Sequence, residues 1–302
     1  MDIGTLAAIA SIISGICNLI GVSRWVIPYL TKFLPLQPAL QRFVDQLDVE
    51  DKREKAIIIL TKSVEKNPKS IDYLVKILED NDEELQKDGI YKILSNVSRT
   101  KIVTDKIIPI IESSEGNWRL QVECFNILGN IKTKDAIDIL TKYINAEQWG
   151  LAVSAIANLG KIDYEISVDN LLLIPQNSHH QVLKALCSAF SSFKSIKALP
   201  YLYDLLNHGE PYVREAAANS IADIKENTGL GECLEVLGKR AKKEDDPEVM
   251  DAIAYAMRRI NRNEGRISLL ATYEYLNSNN KTELALKVGR RYEEYLRRKE
   301  AT

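Results

Sequence analysis

The sequence predicts an all-α fold, an α-solenoid in which one helical hairpin is repeated from about residue 51 to the end of the chain. Large apolar residues recur at steps of 34, 31, 31, 31 and 36 positions, at Val97, Ile131, Ile162, Phe193, Ile224 and Ile260. A second large apolar residue precedes each of them by three positions, at Leu94, Leu128, Leu159, Phe190, Ile221 and Met257. A third precedes each of the last five by eleven positions, at Leu120, Leu151, Val182, Val213 and Val249. Such a period is typical of repeat arrays, in which each unit buries its apolar face against its neighbours.

Residues 1–24 are the first predicted element, a hydrophobic helix. Twenty-one uncharged residues separate Asp2 from Arg24, and a helix of that length spans about 31 Å, the thickness of a bilayer core. Small or polar residues form one stripe along this helix, at Gly4, Ala8, Ser11, Gly15 and Asn18. The stripe suits close packing against a like helix, while bulky residues on another side suit lipid. Trp25 would then lie near the lipid headgroups.

Four interpretations of this segment stay open. They are a cleavable signal peptide, a transmembrane helix, an apolar helix buried in a bundle or an oligomer, and a helix that is released to insert in a membrane. The Met-Asp start without a basic residue argues against a signal peptide. Length, lack of charge and the following Arg24 and Lys32 favour lipid contact through residues 3–22, with the solenoid in the cytoplasm. A homo-oligomer formed through the small-residue stripe is a further expectation.

Residues 25–50 are predicted to be a linker with short helices, because Pro28, Pro35 and Pro38 forbid one uninterrupted helix. The solenoid then occupies residues 51–302. Its first helix is expected over Lys52 to Glu65, where apolar residues recur at helical spacing. Its last helix is expected over Lys281 to Lys299, with one apolar side and one side of four-apart ion pairs, as suits a capping helix.

Two of the predicted copies carry short motifs. Residues 198–206 read ALPYLYDLL and residues 210–224 read EPYVREAAANSIADI, with a Pro early in the first helix and Val-Arg with an Ala pair in the second. The ending Leu128-Gly-Asn-Ile131 is shared by residues 159–162, and residues 246–249 repeat the second turn. These motifs resemble the HEAT repeat, best over residues 100–262, and the short period resembles the bacterial branch that includes phycobilisome-lyase-type repeats. The resemblance implies a right-handed solenoid of about seven hairpins. Arg follows the key Val only at Arg214, so the family's repeated Asp to Arg pairs are largely missing.

Composition narrows the classes of protein to consider. Forty basic and forty-two acidic residues give a net charge of −2, so nucleic acid is not an expected partner. The basic residues Arg258, Arg259, Arg262 and Arg266 form either a solvated face or a patch for an acidic partner or anionic lipid. Cys17, Cys124, Cys187 and Cys233 stand far apart without metal-ligand spacing, which predicts buried free thiols in a reducing compartment.

The aromatic residues Trp118 and Trp149, together with His180, stand two positions before the repeated apolar residues at 120, 151 and 182. They therefore occupy one place in three successive copies and are expected in a row, about 8 to 10 Å apart. Polar residues flank them, among them Asn117, Arg119, Gln148 and His179. One interpretation is a partner-binding stripe formed by Trp118, Arg119, Gln148, Trp149 and His180, because rigid aromatics framed by polar groups are typical anchors. The other is that the rings only cover the neighbouring hairpin.

Three function classes follow. The chain carries no phosphate-binding Gly-rich loop, paired Cys motif, His-Glu-x-x-His or Gly-x-Ser-x-Gly. We therefore expect a non-enzymatic scaffold or sensor without cofactor or metal. It would bind a protein partner and be anchored at a membrane. The alternative is a membrane-disrupting, pore-forming effector whose N-terminal helices assemble under control of the solenoid. The resemblance to HEAT proteins also includes lyases that attach chromophores and glycosylases that excise DNA bases, and the fold by itself does not choose among these activities.

Overall fold

The computed structural model of the chain describes residues 36–67, 69–80, 84–98, 100–114, 116–162, 164–225, 231–260 and 262–300. These residues form helices joined by turns and contain no strand, so the predicted all-α class is confirmed. The chain divides into two compact units, with the boundary between Thr133 and Lys134. The predicted hydrophobic helix over residues 1–24 lies outside the described residues.

The first unit contains three helical hairpins among its described residues. Their helices are α1 (Leu36–Val44), α2 (Glu50–Lys66), α3 (Lys69–Asp80), α4 (Glu84–Ser95), α5 (Thr100–Ser113) and α6 (Trp118–Ile131), with a 3-10 turn at Asp45–Asp48 after α1. Each odd-numbered helix packs on the helix that follows it. Odd-numbered helices also pack on one another, as do even-numbered ones, which gives the unit two layers.

The second unit contains five hairpins among its described residues. Their helices are α7 (Lys134–Lys142), α8 (Trp149–Leu159), α9 (Tyr164–Leu171), α10 (His180–Phe193), α11 (Leu199–Leu205), α12 (Pro211–Lys225), α13 (Gly231–Lys243), α14 (Pro247–Ile260), α15 (Arg262–Ser278) and α16 (Thr282–Glu300), with a 3-10 turn at Ile196–Ala198 before α11. The second helices of the hairpins, α8, α10, α12, α14 and α16, pack on one another in that order. Each second helix therefore packs against the second helix of an adjacent hairpin.

The core consists of the apolar residues that the sequence period identified. Leu128, Leu159 and Ile221 have no exposed surface, and the residues at 120, 151, 182, 213 and 249 are buried as well. Ile162 and Phe193 are only half buried. The reason is that Phe193 ends α10 and Ile162 lies beyond the end of α8, where the next hairpin covers less of the chain. Burial at intervals of about one hairpin is what a repeat array requires, because no single hairpin encloses a core.

Helix α1 belongs to the first hairpin. Leu40, Val44 and Leu47 are buried, and α1 packs on α2 and α3. A methyl group added at Gly89 of α4 would come within 2.9 Å of the Leu47 side chain, so the glycine makes room for the leucine. The sequence predicted that the stack begins near Lys52, and the structure extends it back to Leu36.

A buried carboxylate joins three hairpins of the second unit. The carboxylate of Glu244, only 1% exposed, accepts hydrogen bonds of 2.9 and 2.8 Å from Arg214 on α12. It also accepts from Arg240 on α13 at 3.1 and 2.8 Å, and from the backbone N–H groups of Asp245 and Asp246 at 3.0 Å each. Lys281, from the turn before α16, donates to the backbone oxygen of Glu244 at 3.0 Å. Burial raises the pKa of Glu244, but its hydrogen bonds to Arg214 and the other donors outweigh burial and lower it to about 2.

Three of the four cysteines lie in the described residues. Cys124, Cys187 and Cys233 are buried thiols outside any disulfide, as predicted. Burial raises the pKa of the Cys187 thiol to about 12, so this side chain is an inert part of the core. No helix in the described part of the chain combines enough length and hydrophobicity to cross a bilayer.

We expect Glu244→Gln to lower the free energy of unfolding at pH 7 by about 3 kcal/mol, because two arginines lose their common partner. The carboxylate's contribution is complete above its ordinary pKa of 4.5 and is lost as the pH falls toward about 2. The difference between wild type and variant should therefore shrink between pH 5 and pH 2. Urea unfolding at several pH values measures it, with Glu235→Gln, which breaks an exposed pair with Lys239, as the control. An equal difference at pH 7 and pH 2.5 would contradict the assignment.

A close contact between α14 and α15 gives a second prediction. A methyl group added at Gly265 would overlap the backbone carbonyl oxygen of Met257. We expect Gly265→Ala to destabilise the protein by about 1 to 3 kcal/mol, because the two helices must separate. Gly238→Ala is the matched control, since no atom lies within 4 Å of its added methyl group and alanine favours a helix interior by about 1 kcal/mol. Thermal unfolding should shift in opposite directions for the two variants.

Candidate functional site

The N-terminal ends of the second helices carry the predicted site residues. Trp149 and His180 are the first residues of α8 and α10, and Pro211 and Pro247 take the same place in α12 and α14. Trp118 is the first residue of α6 in the first unit. The residues that share a place in the sequence period therefore share a place in their helices.

Side chains just before the helices satisfy some of the backbone N–H groups that no helical carbonyl reaches. Asp246 accepts from the N–H groups of Glu248 and Val249 at 2.9 and 3.0 Å. His179 accepts from the N–H of Gln181 at 3.3 Å through Nδ1. Gln148 precedes α8 and makes no such hydrogen bond.

Three aromatic rings stack at the start of α8 and α10. The ring centroids of Trp149 and His179 lie 5.1 Å apart, with an angle of 11° between the ring planes. Those of His179 and His180 lie 4.2 Å apart, with an angle of 30°. The sequence placed His180 in the row with Trp149, whereas the structure stacks His179 on the tryptophan and His180 on His179. His179, which the sequence analysis gave only as a flanking polar residue, is thus the ring that directly contacts Trp149.

A second aromatic contact lies on the next helix. Tyr212 is the second residue of α12, and the Lys184 ammonium of α10 lies 5.8 Å from its ring centroid. Trp149 is 50% exposed and Tyr212 is 60% exposed. Since α8 packs on α10 and α10 on α12, these side chains lie along consecutive helices. We call this surface the aromatic edge, defined by Trp149, His179, His180, Lys184 and Tyr212.

The aromatic edge offers apolar ring faces next to a cation and to helix N-termini. An exposed ring face provides contact area at little cost in side-chain entropy. The N-termini of α8, α10 and α12 add backbone N–H groups and partial positive charge. Such a surface can bind an extended segment that carries apolar side chains and carboxylates.

The other predicted residues are distributed as follows. Gln148 is exposed at the start of α8. In the first unit, Trp118 is exposed and the Arg119 guanidinium carbon lies 5.6 Å from its ring centroid. The stripe at Gly4, Ala8, Ser11, Gly15 and Asn18, together with Trp25, lies outside the described residues.

The sequence analysis missed two members of the aromatic edge, Lys184 and Tyr212. Tyr212 directly follows Pro211, which the period had already aligned with Trp149 and His180, so an exposed aromatic beside a shared helix start was the available signal. No sequence pattern predicted the contact of Lys184, because that contact is with a ring on the neighbouring helix. Within the described residues, no group of three or more His, Cys, Asp or Glu side chains is placed to hold a metal ion.

Two of the four clustered arginines contact neighbouring hairpins. The guanidinium carbons of Arg258, Arg259 and Arg291 each lie 5.4 Å from the ring centroid of Tyr255. Arg259 pairs with Asp223 of α12 at 2.6 Å, and Arg258 lies 3.8 Å from a carboxylate oxygen of α16. These side chains thus link hairpins through ion pairs and cation–π contacts.

A comparison with protein families identifies residues 171–258 as a match to the HEAT-repeat model. The matched segment is similar to HEAT repeats. It runs from the end of α9 into α14 and includes four of the five residues of the aromatic edge. The predicted resemblance to the HEAT family is therefore confirmed.

Several solved structures are similar to this chain. An engineered protein is 19% identical, with 84% of this chain and 77% of that chain covered and a TM-score of 0.44. Human deoxyhypusine hydroxylase in complex with glycerol is 15% identical, with 85% and 97% covered and a TM-score of 0.33. A second engineered protein is 16% identical, with 85% and 96% covered and a TM-score of 0.28. No curated protein matches the sequence.

Proposed function

We propose that this chain is a non-enzymatic HEAT-repeat scaffold or sensor that binds a protein partner along the aromatic edge and is held at a membrane by residues 1–24. The observation that carries the proposal is the exposure of Trp149 and Tyr212 on consecutive packed helices. HEAT repeats generally mediate protein–protein interactions, which agrees with this assignment.

The exposed rings are not needed to close the core. The buried positions of α8, α10 and α12 are filled by the repeated apolar residues, while Trp149 and Tyr212 leave half or more of their surface in water. Aromatic residues that leave a ring face exposed beside a basic side chain are typical centres of binding surfaces. The stacked rings of His179 and His180 add further aromatic surface to the aromatic edge.

The charge of the aromatic edge indicates what kind of segment binds there. Lys184 lies over the Tyr212 ring, and no side chain caps the start of α8 beside Trp149. Both features favour acceptor groups on the partner, such as carboxylates or backbone oxygens. We therefore expect an extended peptide segment with an apolar anchor next to an acidic residue.

The membrane part of the proposal rests on the sequence of residues 1–24. Twenty-one uncharged residues supply enough length for a bilayer core, and the small-residue stripe supplies a face for close packing. The basic residues that follow, Arg24 and Lys32, favour the cytoplasmic side for the helical units.

We expect Trp149→Ala and Tyr212→Ala each to weaken capture of the partner by about tenfold or more, since hot-spot aromatics contribute about 2 kcal/mol. Neither change should lower the melting temperature much, because both rings are half exposed. Photo-crosslinking from a probe at position 212 in native membranes, followed by mass spectrometry, identifies the partner, and pull-down with the variants measures capture.

Ile58→Ala is the matched control, because Ile58 is 53% exposed on α2 and is not part of the aromatic edge. It should leave capture unchanged. A large loss of stability in Trp149→Ala with intact capture would mean that the ring only covers the next hairpin, and the proposal would fail.

We expect the full-length chain to sediment with membranes and to resist extraction by high salt, because apolar burial does not depend on ionic strength. A chain that starts at residue 36 should be soluble, and it retains α1, whose buried side chains the first hairpin needs. Salt extraction of the full-length chain would exclude the anchor. Leakage of dye from liposomes that Gly15→Leu abolishes would instead favour the pore-forming alternative.

A further inference from the structure

The three histidines of the chain lie at the starts of two consecutive second helices. His179 and His180 are at the start of α10, and His208 lies in the turn before α12. Two of them accept a hydrogen bond from a backbone N–H group through Nδ1, His179 from Gln181 at 3.3 Å and His208 from Glu210 at 3.0 Å. Both rings therefore hold the chain where a helix begins, as the side chain of an N-cap residue does.

These two hydrogen bonds exist only while Nδ1 carries no proton. An imidazole nitrogen accepts through its lone pair, and a fully protonated ring is a donor at both nitrogens. Histidine is the type of side chain whose charge changes between pH 5 and pH 8. Acidification within this range therefore turns the acceptor at His179 and at His208 into a donor. It also frees the N–H groups of Gln181 and Glu210.

The contact between His179 and Trp149 determines which part of the structure moves on protonation. The two ring centroids lie 5.1 Å apart, and the ring planes are 11° from parallel. The face of an indole attracts a cation, so a proton on His179 strengthens this contact. The charged ring therefore stays on Trp149, and the first turn of α10 gives up its hydrogen bond instead.

Other ionisable groups around His179 are of both signs. The His180 ring centroid lies 4.2 Å from that of His179, so a charge on one ring repels a charge on the other. On the elements that pack against α10, the ionisable side chains toward this end are Glu147 before α8, Asp169 of α9, and Tyr212 and Glu215 of α12. A proton on His179 thus adds positive charge to an end of α10 that already carries Lys184.

His208 lies beside the buried carboxylate of Glu244. The guanidinium of Arg214 donates to the backbone oxygen of His208 at 3.0 Å and also binds Glu244 at 2.8 Å. Asp204 of α11 and Glu210 are the carboxylates of the same turn. Because Arg214 fixes the backbone here, protonation moves the His208 ring rather than the turn. The N–H of Glu210 then loses its acceptor.

We propose that acid activates the aromatic edge for the binding of carboxylate groups. In the protonated state, His179 carries positive charge beside Trp149 and Lys184, and the N–H groups of Gln181 and Glu210 are open to a ligand. Cations and N–H groups at helix starts both favour carboxylates. In the neutral state the histidines occupy the same N–H groups. The inference rests on the proposed function for its ligand, an acidic peptide segment, and adds regulation of that site by pH.

The first experiment reads the charge on His179 through the fluorescence of Trp149. The full-length chain in neutral detergent carries Trp25→Phe and Trp118→Phe, so that Trp149 is its only tryptophan. Lowering the pH from about 8 to about 5 should reduce the emission in a titration step, because a protonated imidazole in contact with an indole quenches it more strongly than a neutral one. His179→Asn should abolish most of this change.

The second experiment measures amide hydrogen exchange at the helix starts by mass spectrometry. After correction for the intrinsic effect of pH, the amides of Gln181 and Glu210 should exchange about fivefold faster in acid, since loss of an N-cap acceptor weakens a helix start by about that factor. The amide of Leu120 is the matched control and should show no such change. Its acceptor at 3.3 Å is the side chain of Asn117, which does not titrate.

The third experiment compares capture of the partner that crosslinks to position 212 at neutral and at acidic pH. The wild-type chain should bind about fivefold more tightly in acid, as expected for added charge at helix starts. The double variant His179→Asn with His208→Asn should bind equally at both pH values, because asparagine accepts from the same N–H groups without titrating.

Unchanged Trp149 emission together with unchanged exchange at Gln181 and Glu210 would overturn the inference. Capture that requires Trp149 but is equal or weaker in acid would also overturn it, and the proposed function would stand. Capture that Trp149→Ala leaves intact contradicts the proposed function instead. The acid response of the two histidines is then decided by the emission and exchange measurements alone.

Discussion

The structure depends on one constraint, that a helical hairpin by itself cannot enclose a core. Each second helix in the second unit completes its burial against the second helix of the next hairpin, and residues such as Leu159 and Ile221 are fully enclosed only because that neighbour is present. The requirement keeps α8, α10 and α12 in the same orientation, so their N-termini lie along one side. The aromatic edge is a consequence of this arrangement, since any exposed residue at a helix start is brought near its counterpart in the next hairpin.

The sequence predicted the class, the hairpins and the buried positions because all three follow from apolar spacing, which is local information. It predicted the shared helix starts of Trp149 and His180 for the same reason. It could not predict that His179 would stack on Trp149, that Lys184 would reach Tyr212, or which donors surround Glu244. The Trp149–His179, Lys184–Tyr212 and Arg214–Glu244 contacts join side chains about 30 residues apart and do not recur in every copy, so they depend on the packing angle between hairpins. Short helices were predicted for residues 25–50, but the prolines there concealed that α1 packs as part of the first hairpin.

Arginines of the second unit serve two different purposes. Arg214, Arg259 and Arg291 bind carboxylates of other hairpins, at distances of 2.5 to 3.0 Å. Planar guanidinium groups suit this role, because they donate in two directions while their faces rest on a ring such as that of Tyr255. Arg290 faces outward instead. The number of basic residues alone therefore does not show which of them a partner can reach, since Arg214, Arg259 and Arg291 pair within the unit.

The buried carboxylate of Glu244 bears on how similar hairpins find their proper order. Apolar faces with nearly the same spacing can associate in several wrong alignments during folding, and hydrophobic burial distinguishes poorly among them. A shift of one hairpin would leave Glu244 without the guanidinium of Arg214, which is costlier than a misplaced leucine. Glu244 thus favours the native alignment of the hairpins, which the spacing of the apolar residues does not determine by itself.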